Sequence, residues 1–412
     1  MIWISHPTGN TFVRALLTAM TESGQPFHFF TTFGVAESTR WPGLLPVRLR
    51  TELQRRSYRI HRGRLTTRPG RELARLCANA FGWRDATRHE TGPFSIDAVY
   101  HDLDAALGKR LRNAPKAALP KAVYCYEDAA LETFKSARAR GVHTIYELPI
   151  AYWETSRRLL DEEARRHPDW EPTLLGTRDS PAKLERKTGE LQLADAVVCP
   201  SLFVLGSLPD RVRATKKCFI APFGSPASDI DYPFSSKLSN CPFRFLFAGA
   251  MTQRKGLADL FQAASLLRGR KFELVVMGSA LVPMAFYRDK LHDFVYEPPR
   301  PHDEVMKLMA TCDVLVLPSI VEGRALVQQE ALRNGLPLIV TANAGGEDLI
   351  DEGKTGFLVP IRSAESIAEK MVWFLDHPAD IEPMREAARR KAALFTWADY
   401  GSRILSLIKS MG

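Results

Sequence analysis

From Phe243 onward the chain alternates short, unbroken apolar runs with stretches in which apolar residues recur every three or four positions. The runs predict strands at 243–247, 272–277, 314–317, 337–340 and 356–359, with a short strand at Phe294. The stretches between them predict helices at 255–267, from about Phe286, at 302–310 and at 325–333, with a short helix at 346–351. A strand that is apolar on both sides needs cover on both faces, so the alternation specifies a parallel sheet between helical layers.

The first half carries the same signature less regularly. A strand at 2–5, a polar loop from His6 to Asn10 and a helix with apolar spacing over 12–20 open a βα unit. Further β-like runs are "FHFFTTF", "AVYCY", "HTIYEL", "AVVCP" and "CFIAPFG", while 92–120 and 152–191 read as helical and charged. The stretch "GSPASDIDYPFSSKLSNCP" has little periodicity and reads as a linker. The predicted organisation is an α/β domain over 1–223, a linker over 224–242, a second α/β domain over 243–395, and a C-terminal helix over 396–412 with the option of packing back on the first domain. A chain of 412 residues exceeds what one core usually serves, which agrees with two domains.

At 45% hydrophobic residues the composition excludes a disordered chain. No run reaches the roughly 18–20 uncharged apolar residues of a membrane span, and "MIWISHPTGNTF" lacks the layout of a signal peptide, so the expected location is cytoplasmic. Cys77, Cys125, Cys199, Cys218, Cys241 and Cys312 are scattered singly, which argues against zinc sites and disulfides and reads as reduced, mostly buried thiols. The net charge of +9 is concentrated: between Arg40 and Arg75 stand eleven arginines against two glutamates. This window fits a solvated, salt-bridged face, an anionic membrane surface or phosphate-bearing acceptor, or nucleic acid. Leu49, Leu53 and Ile60 recur near helical spacing, as in a basic helix lying on the inner membrane face. Trp41 and Tyr58 are the only aromatic residues of the window, so a stacking platform is missing and nucleic acid is not the expected partner.

In parallel sheets of this kind ligands bind where strands run into helices. The first such loop, "AGAMTQRKG", puts Arg254, Lys255 and Gly256 at a helix start, where cations oppose the helix dipole unless an anion is shared between them. An exposed Arg-Lys turn is the plain alternative. The second loop, "PSIVEG", places Glu322 just before a helix and Glu330 inside it, so that both are able to face one crevice. Carboxylates suit sugar recognition because each accepts several hydroxyl hydrogens. Dipole capping by Glu322 and simple exposure of Glu330 are the corresponding structural readings. A third loop, "NAGGEDLIDEG", offers Gly345 and Gly346 for close backbone approach.

In this order and spacing, "GAMTQRKG", "CDVLVLPSIVEG", the glutamate pair, "EALRNGLPLIV", "GGEDLI" and "TGFLVP" resemble the retaining nucleotide-sugar glycosyltransferases of family 4, whose GT-B architecture sets two Rossmann-like domains across a cleft. The first half matches more loosely, through "HPTGN" and "LADAVVCPS", as an acceptor-binding domain. The resemblance implies that Glu330 holds the ribose, Glu322 contacts the donor sugar, and Lys255 with Arg254 neutralises the diphosphate. Gly249, Gly323, Arg324, Ala325 and Leu326 then line the donor, Pro299 and Arg300 lie near the base, and Gly9 and Asn10 approach from the opposite domain. The sequence departs from the family at Glu322-Gly323-Arg324-Ala325, where many members read Glu-Gly-Phe-Gly. Arg324 either pairs with a donor carboxylate or points to solvent, the second being preferred. Gly249-Ala250 replaces a common Gly-Arg, leaving Arg254 as the substitute cation. Where relatives carry a histidine, Tyr146 or Glu147 stands, and Glu147 is the catalytic candidate from the first domain.

The implied reaction moves a hexosyl group from a nucleoside diphosphate sugar, uridine preferred over guanosine, to a hydroxyl of a saccharide or lipid-linked acceptor, with the anomeric configuration kept. No cofactor or metal is expected: Asp102/Asp104 fall in a charged helix and Asp229/Asp231 in the linker. An epimerase or phosphorylase on the same fold is the alternative, and a non-catalytic nucleic-acid or membrane-binding protein a third reading. An NAD enzyme is disfavoured because no G-x-G-x-x-G follows a predicted strand.

Overall fold

A computed structural model of the chain describes residues 1–36, 56–226 and 242–411. The first part runs β1 (Ile2–Ser5), α1 (Thr11–Glu22), β2 (Phe27–Thr31), β3 (Val35–Ala36), β4 (Ser57–Tyr58), β5 (Leu65–Thr67), α2 (Gly70–Ala80) and α3 (Ile96–Asn113). It continues through β6 (Ala122–Tyr126), α4 (Leu131–Ala139), β7 (His143–Glu147), α5 (Trp153–Arg166), α6 (Pro181–Leu193), β8 (Ala196–Cys199), α7 (Leu202–Ser207), α8 (Asp210–Thr215) and β9 (Lys217–Ile220). The second part runs β10 (Phe243–Ala248), α9 (Leu257–Leu266), β11 (Phe272–Met277), α10 (Met284–Lys290), β12 (Val295–Glu297), α11 (His302–Met309), β13 (Val314–Leu317) and α12 (Leu326–Arg333). After β14 (Leu338–Val340) and β15 (Gly356–Leu358) come α13 (Ala364–Asp376), α14 (Ile381–Ala393) and α15 (Trp397–Lys409).

Two parallel sheets result, of seven strands in the order β5-β2-β1-β6-β7-β8-β9 and of six in the order β12-β11-β10-β13-β14-β15. The chain leaves β1 in one direction across the first sheet and resumes at β6 on the other side, and it does the same between β10 and β13 in the second. Such reversals open a crevice at the strand ends. All four residues of β13, Val-Leu-Val-Leu, are buried, which is the cost-free arrangement only when helices cover both faces.

Two segments tie the parts together. Helix α15 returns to the first part, where Tyr400, Ile404, Leu407 and Ile408 share a core with α1 and β1. In the other direction, the chain after α5 reaches into the second part: Trp170 is 3% exposed within its core, with ring centroids 5.1 Å from Phe286, 5.7 Å from Tyr287 and 6.0 Å from Phe261. A smaller apolar seam joins Ala151, Leu159, Leu160 and Leu174 to Ile320 and Val321.

Several described arginines of the basic window are already engaged. Arg68 pairs with Asp102 at 2.7 Å, Arg56 and Arg75 pair with Glu72 at 2.9 and 2.7 Å, and Arg64 lies over the Phe27 ring. Ile60 is buried rather than on a helix, and the predicted helical positions Leu49 and Leu53 lie outside the described residues, as do Cys241, Asp229 and Asp231. Cys77 is exposed, against the buried thiol expected there, because it sits on the amphipathic surface helix α2; Cys125, Cys199 and Cys312 are buried.

Candidate functional site

The carboxyl ends of β10 and β13 bring the cations and the first glutamate together. Arg254 and Lys255 do not open α9, as the apolar spacing predicts. They form a separate 3₁₀ turn, Gln253–Lys255, capped by Thr252, whose hydroxyl accepts from the Lys255 amide at 3.3 Å. Gly256 follows at φ 73°, a left-handed conformation that ends the turn before α9 begins. The turn is fastened to the next loop: the Arg254 carbonyl accepts from Ile320 and Val321 amides at 2.9 and 3.2 Å, and the Arg254 guanidinium donates to the Val321 carbonyl at 2.8 Å.

Within that frame the Lys255 ammonium donates to Glu322 Oε1, and Arg254 Nη1 lies 3.0 Å from the same oxygen. Burial by itself would raise the Glu322 carboxyl, but Lys255 and then Arg254 outweigh it and hold the group down at about 2. Burial lowers the Lys255 ammonium and Glu322 opposes it. Glu322 is thus ionised at neutral pH, and by formal charge the cluster of two basic side chains and one carboxylate carries one surplus positive charge. Gly249 makes room for this lysine: at φ 142° it has no side chain, and a Cβ there would lie 2.7 Å from Lys255 Cε.

Glu330 sits on α12, with its carboxylate 3.6 Å from His302 Nδ1 at the start of α11. Burial raises its carboxyl and His302 opposes the rise. The neighbouring loop at the end of β12 carries exposed Pro299, and Arg300 paired with Glu297. His302 is a neighbour that the loop-by-loop reading missed.

Arg324 corrects the expectation that it faces solvent. It is 4% exposed, donates to Asp348 at 2.6 Å, to the Gly345 carbonyl at 3.2 Å and to Gln329 Oε1 at 3.1 Å, and lies over the Phe395 ring. Asp348, in the third loop, supplies the counter-charge that makes this burial tolerable. Ala325 precedes α12 and donates its amide to the Ala344 carbonyl at 3.1 Å, and Leu326 packs against the core of the first part.

The first part presses directly on the Glu322 loop. A Cβ at Gly323 would collide with the Pro149 carbonyl oxygen, so only glycine permits this approach. The Glu322 carbonyl accepts from the Ala151 amide at 3.3 Å and the Gly323 carbonyl from the Ser201 hydroxyl at 2.6 Å. Gly9 and Asn10 stand at the end of β1, at the reversal point of the first sheet. The Gly9 carbonyl accepts from Arg14 at 2.9 Å and Asn10 Oδ1 accepts from Thr8 at 3.2 Å; among the described residues no hydrogen bond joins them to the Glu322 cluster.

Glu147 is only 3% exposed, beneath the strand ends rather than open to the crevice. Its Oε1 accepts from the Tyr400 hydroxyl at 2.9 Å, while among the described residues Oε2 has no hydrogen-bond partner. Burial pushes its carboxyl up to about 7 against the lowering effect of Tyr124 and Tyr400. Tyr146 is buried on the opposite face of the sheet. The carboxylates of the Asp-x-Asp pair on α3 are engaged with protein groups, Asp102 with Arg68 and Asp104 with Arg186 and the Thr133 amide. A hollow of about 800 Å³ between α1, β4 and α15 is lined by Arg14, Tyr58 and Trp397, and not by Arg254, Lys255, Glu322, Glu330 or Glu147.

Residues 229–392 match the family described as "Glycosyl transferases group 1". The amylovoran biosynthesis glycosyltransferase AmsK of Erwinia amylovora is 28% identical over 216 residues, 47% of this chain and 53% of that protein. A D-inositol 3-phosphate glycosyltransferase of Arthrobacter is 27% identical over 249 residues, 54% of this chain and 58% of that protein. The matched part thus spans a little over half the length of these curated relatives. Among solved structures, sucrose-phosphate synthase of Thermosynechococcus elongatus superposes with a TM-score of 0.61 at 17% identity, covering 100% of this chain and 98% of that one. Anabaena HepE, solved in complex with UDP-glucose, superposes at 0.59 with 14% identity and 99% of both chains covered. These superpositions establish the GT-B fold, two Rossmann-like domains facing across a cleft.

Proposed function

We propose that this protein is a group 1 glycosyltransferase that moves a hexosyl group from a nucleoside diphosphate sugar to a hydroxyl of a saccharide or lipid-linked acceptor in polysaccharide or glycoconjugate synthesis. The observation that carries the reading is the convergence of Lys255, Arg254 and Glu322 on one another at the β10/β13 reversal, with Glu330 on the helix that follows. UDP is the expected nucleotide, since the superposed Anabaena protein was solved with UDP-glucose. Glu330, half-relieved of solvent, takes the ribose hydroxyls, and Pro299 and Arg300 border the base. The diphosphate takes over Lys255 and Arg254 from Glu322, which then accepts hydroxyls of the sugar.

Transfer builds negative charge on the leaving diphosphate and positive charge at the anomeric carbon, so preorganised cations stabilise the transition state more than the ground state. The leaving phosphate oxygen receives the acceptor proton on the face from which it departs, which retains the configuration and requires neither an enzymic nucleophile nor a metal. Among the described residues no helix is long and apolar enough to cross a membrane. Contact with an anionic membrane through the window between Arg40 and Arg75 rests on its arginines outside the described residues, because several of the described ones are paired.

Thermal unfolding with UDP, GDP and their glucose and mannose conjugates tests the reading, since a ligand at about a hundred times its Kd stabilises the native state by about 2.7 kcal/mol. UDP and a UDP-sugar should raise the midpoint in the wild type, and Glu330→Ala should lose most of that shift. A wild-type midpoint indifferent to every one of these compounds removes the donor assignment.

A further inference from the structure

We infer that Gln253 is a positioning residue for the donor diphosphate, holding the Arg254–Lys255 turn in place through a strap contributed by the first half of the chain. This rests on the donor site proposed above and adds to it a residue remote from the ligand. Gln253 is 0% exposed and each of its polar atoms has a partner. The side-chain amide donates to Glu163 Oε2 at 2.6 Å and to Asp259 Oδ2 at 2.8 Å, while its oxygen accepts from the Ala258 amide at 2.8 Å. Its backbone amide donates to the Thr173 hydroxyl at 3.2 Å and its carbonyl accepts from Gly256 at 2.9 Å. Glu163 and Thr173 belong to the strap, α5 and the 3₁₀ segment Pro168–Thr173, whereas Asp259 and Ala258 lie on α9 behind the cations.

The strap is held in the second domain by more than this glutamine. Trp170 is built into that domain's core, Lys290 pairs with Asp169 at 2.6 Å, and Arg362 binds Glu163, Glu162 and the Leu159 carbonyl. Arg362 adopts φ 65°, a left-handed conformation unfavourable for a residue with a side chain, which persists only when its surroundings fix it. The same hydrogen bonds account for Glu163, His167 and Asp259 lying close enough to suggest a metal: both Glu163 oxygens and one of Asp259 are already occupied by Arg362 and Gln253. At its other end the strap begins just after the Pro149–Ala151 contacts with Gly323 and Glu322, so one piece of chain braces the cluster from both sides. Lys255 and Arg254 are thereby aimed by groups on a helix of the other half, and loss of Gln253 releases the turn while leaving the Glu330 site intact.

The experiment compares binding of UDP with binding of uridine by the full chain, using GDP and guanosine instead if the wild type prefers that nucleotide. Gln253→Ala should weaken the diphosphate at least tenfold and the nucleoside less than twofold, and the milder Thr173→Val, which removes one hydroxyl, should weaken UDP about threefold with the same selectivity. Because Gln253 acts through both cations of the turn, adding Gln253→Ala to the pair Arg254→Ala/Lys255→Ala should weaken UDP no further than that pair alone. Equal loss of UDP and uridine, unchanged UDP binding in both single variants, or a further loss when Gln253→Ala is added to Arg254→Ala/Lys255→Ala would overturn the inference. A wild type that binds neither nucleotide strikes the donor site itself, whereas a wild type that binds UDP, with that further loss in the combined variant, strikes only the role of Gln253.

Discussion

Glu322, in the loop that follows β13, and Glu147, the last residue of β7, are buried carboxyls of the two domains, 9% and 3% exposed. Burial disfavours the charged form of both, yet Glu322 is held at about 2 and Glu147 at about 7. The difference lies in the partners: Lys255 and Arg254 face Glu322, whereas among the described residues the groups that act on the Glu147 carboxyl are the hydroxyls of Tyr124 and Tyr400. Cations at the second site hold a charge in readiness for a ligand. Hydroxyls at the first leave a carboxyl that is stable mainly when protonated, which suits a structural joint with α15 better than chemistry in the cleft.

The comparison breaks most visibly by truncation. Glu322→Ala strands the buried Lys255 ammonium beside Arg254, and removing one partner of a buried ion pair typically costs about 3–5 kcal/mol. Chemical unfolding should show a loss of that order together with loss of donor turnover. Glu147→Gln, which keeps the shape and the hydrogen bond from Tyr400, should cost far less at neutral pH. Comparable destabilisation by the two would mean that Glu322 is no more dependent on its charge than Glu147.

The same contrast has a sign in pH. Glu147 has its folded value raised from 4.5 to about 7, so its contribution to stability is complete below 4.5 and is lost as pH rises through 7, a change of about 3 kcal/mol. Glu322 has its value lowered from 4.5 to about 2, so its contribution is present above 4.5 and is lost as pH falls toward 2. Urea midpoints at pH 5 and pH 8 should therefore fall in the wild type relative to Glu147→Gln as the pH rises. Parallel profiles for the two proteins over that interval would show that Glu147 is not the group responsible.

How far the two sites were legible follows from the range of the interactions that make them. Strands such as β13 and β11 are readable because their cover is required at every position, and all of Val-Leu-Val-Leu is buried as the run implies. The covered parallel sheet follows from that alternation, whereas the GT-B architecture is legible only through the motif resemblance. The Arg254–Lys255 turn differs from the predicted helix start because Gly256 turns left-handed between it and α9. The burial of Arg324 is not legible locally because its counter-charge, Asp348, lies 24 residues downstream in another loop. Gln253 is illegible for a related reason: its capping of Ala258 is local, but its bond to Glu163 spans 90 residues. Glu147 is a catalytic candidate only through the resemblance, as the residue near the relatives' histidine, and its hydrogen-bond partner Tyr400 lies 253 residues away. Local pattern fixes strands and which loops hold charge, while the partner that decides what a charge does is tertiary.

The smallest predicted effect is also the most selective for that joint. The Tyr400 hydroxyl donates to Glu147 Oε1 at 2.9 Å and so favours the ionised carboxylate. Removing it in Tyr400→Phe should cost about 1 kcal/mol, the usual net value of one hydrogen bond, and more at pH 8 than at pH 5 because the bond is stronger to a charged acceptor. With Glu147→Gln as background the pH dependence of that cost should vanish, since a glutamine carries no charge to stabilise. A double-mutant cycle at the two pH values reads the coupling directly, and a coupling that does not grow with pH would place the proton on some group other than Glu147.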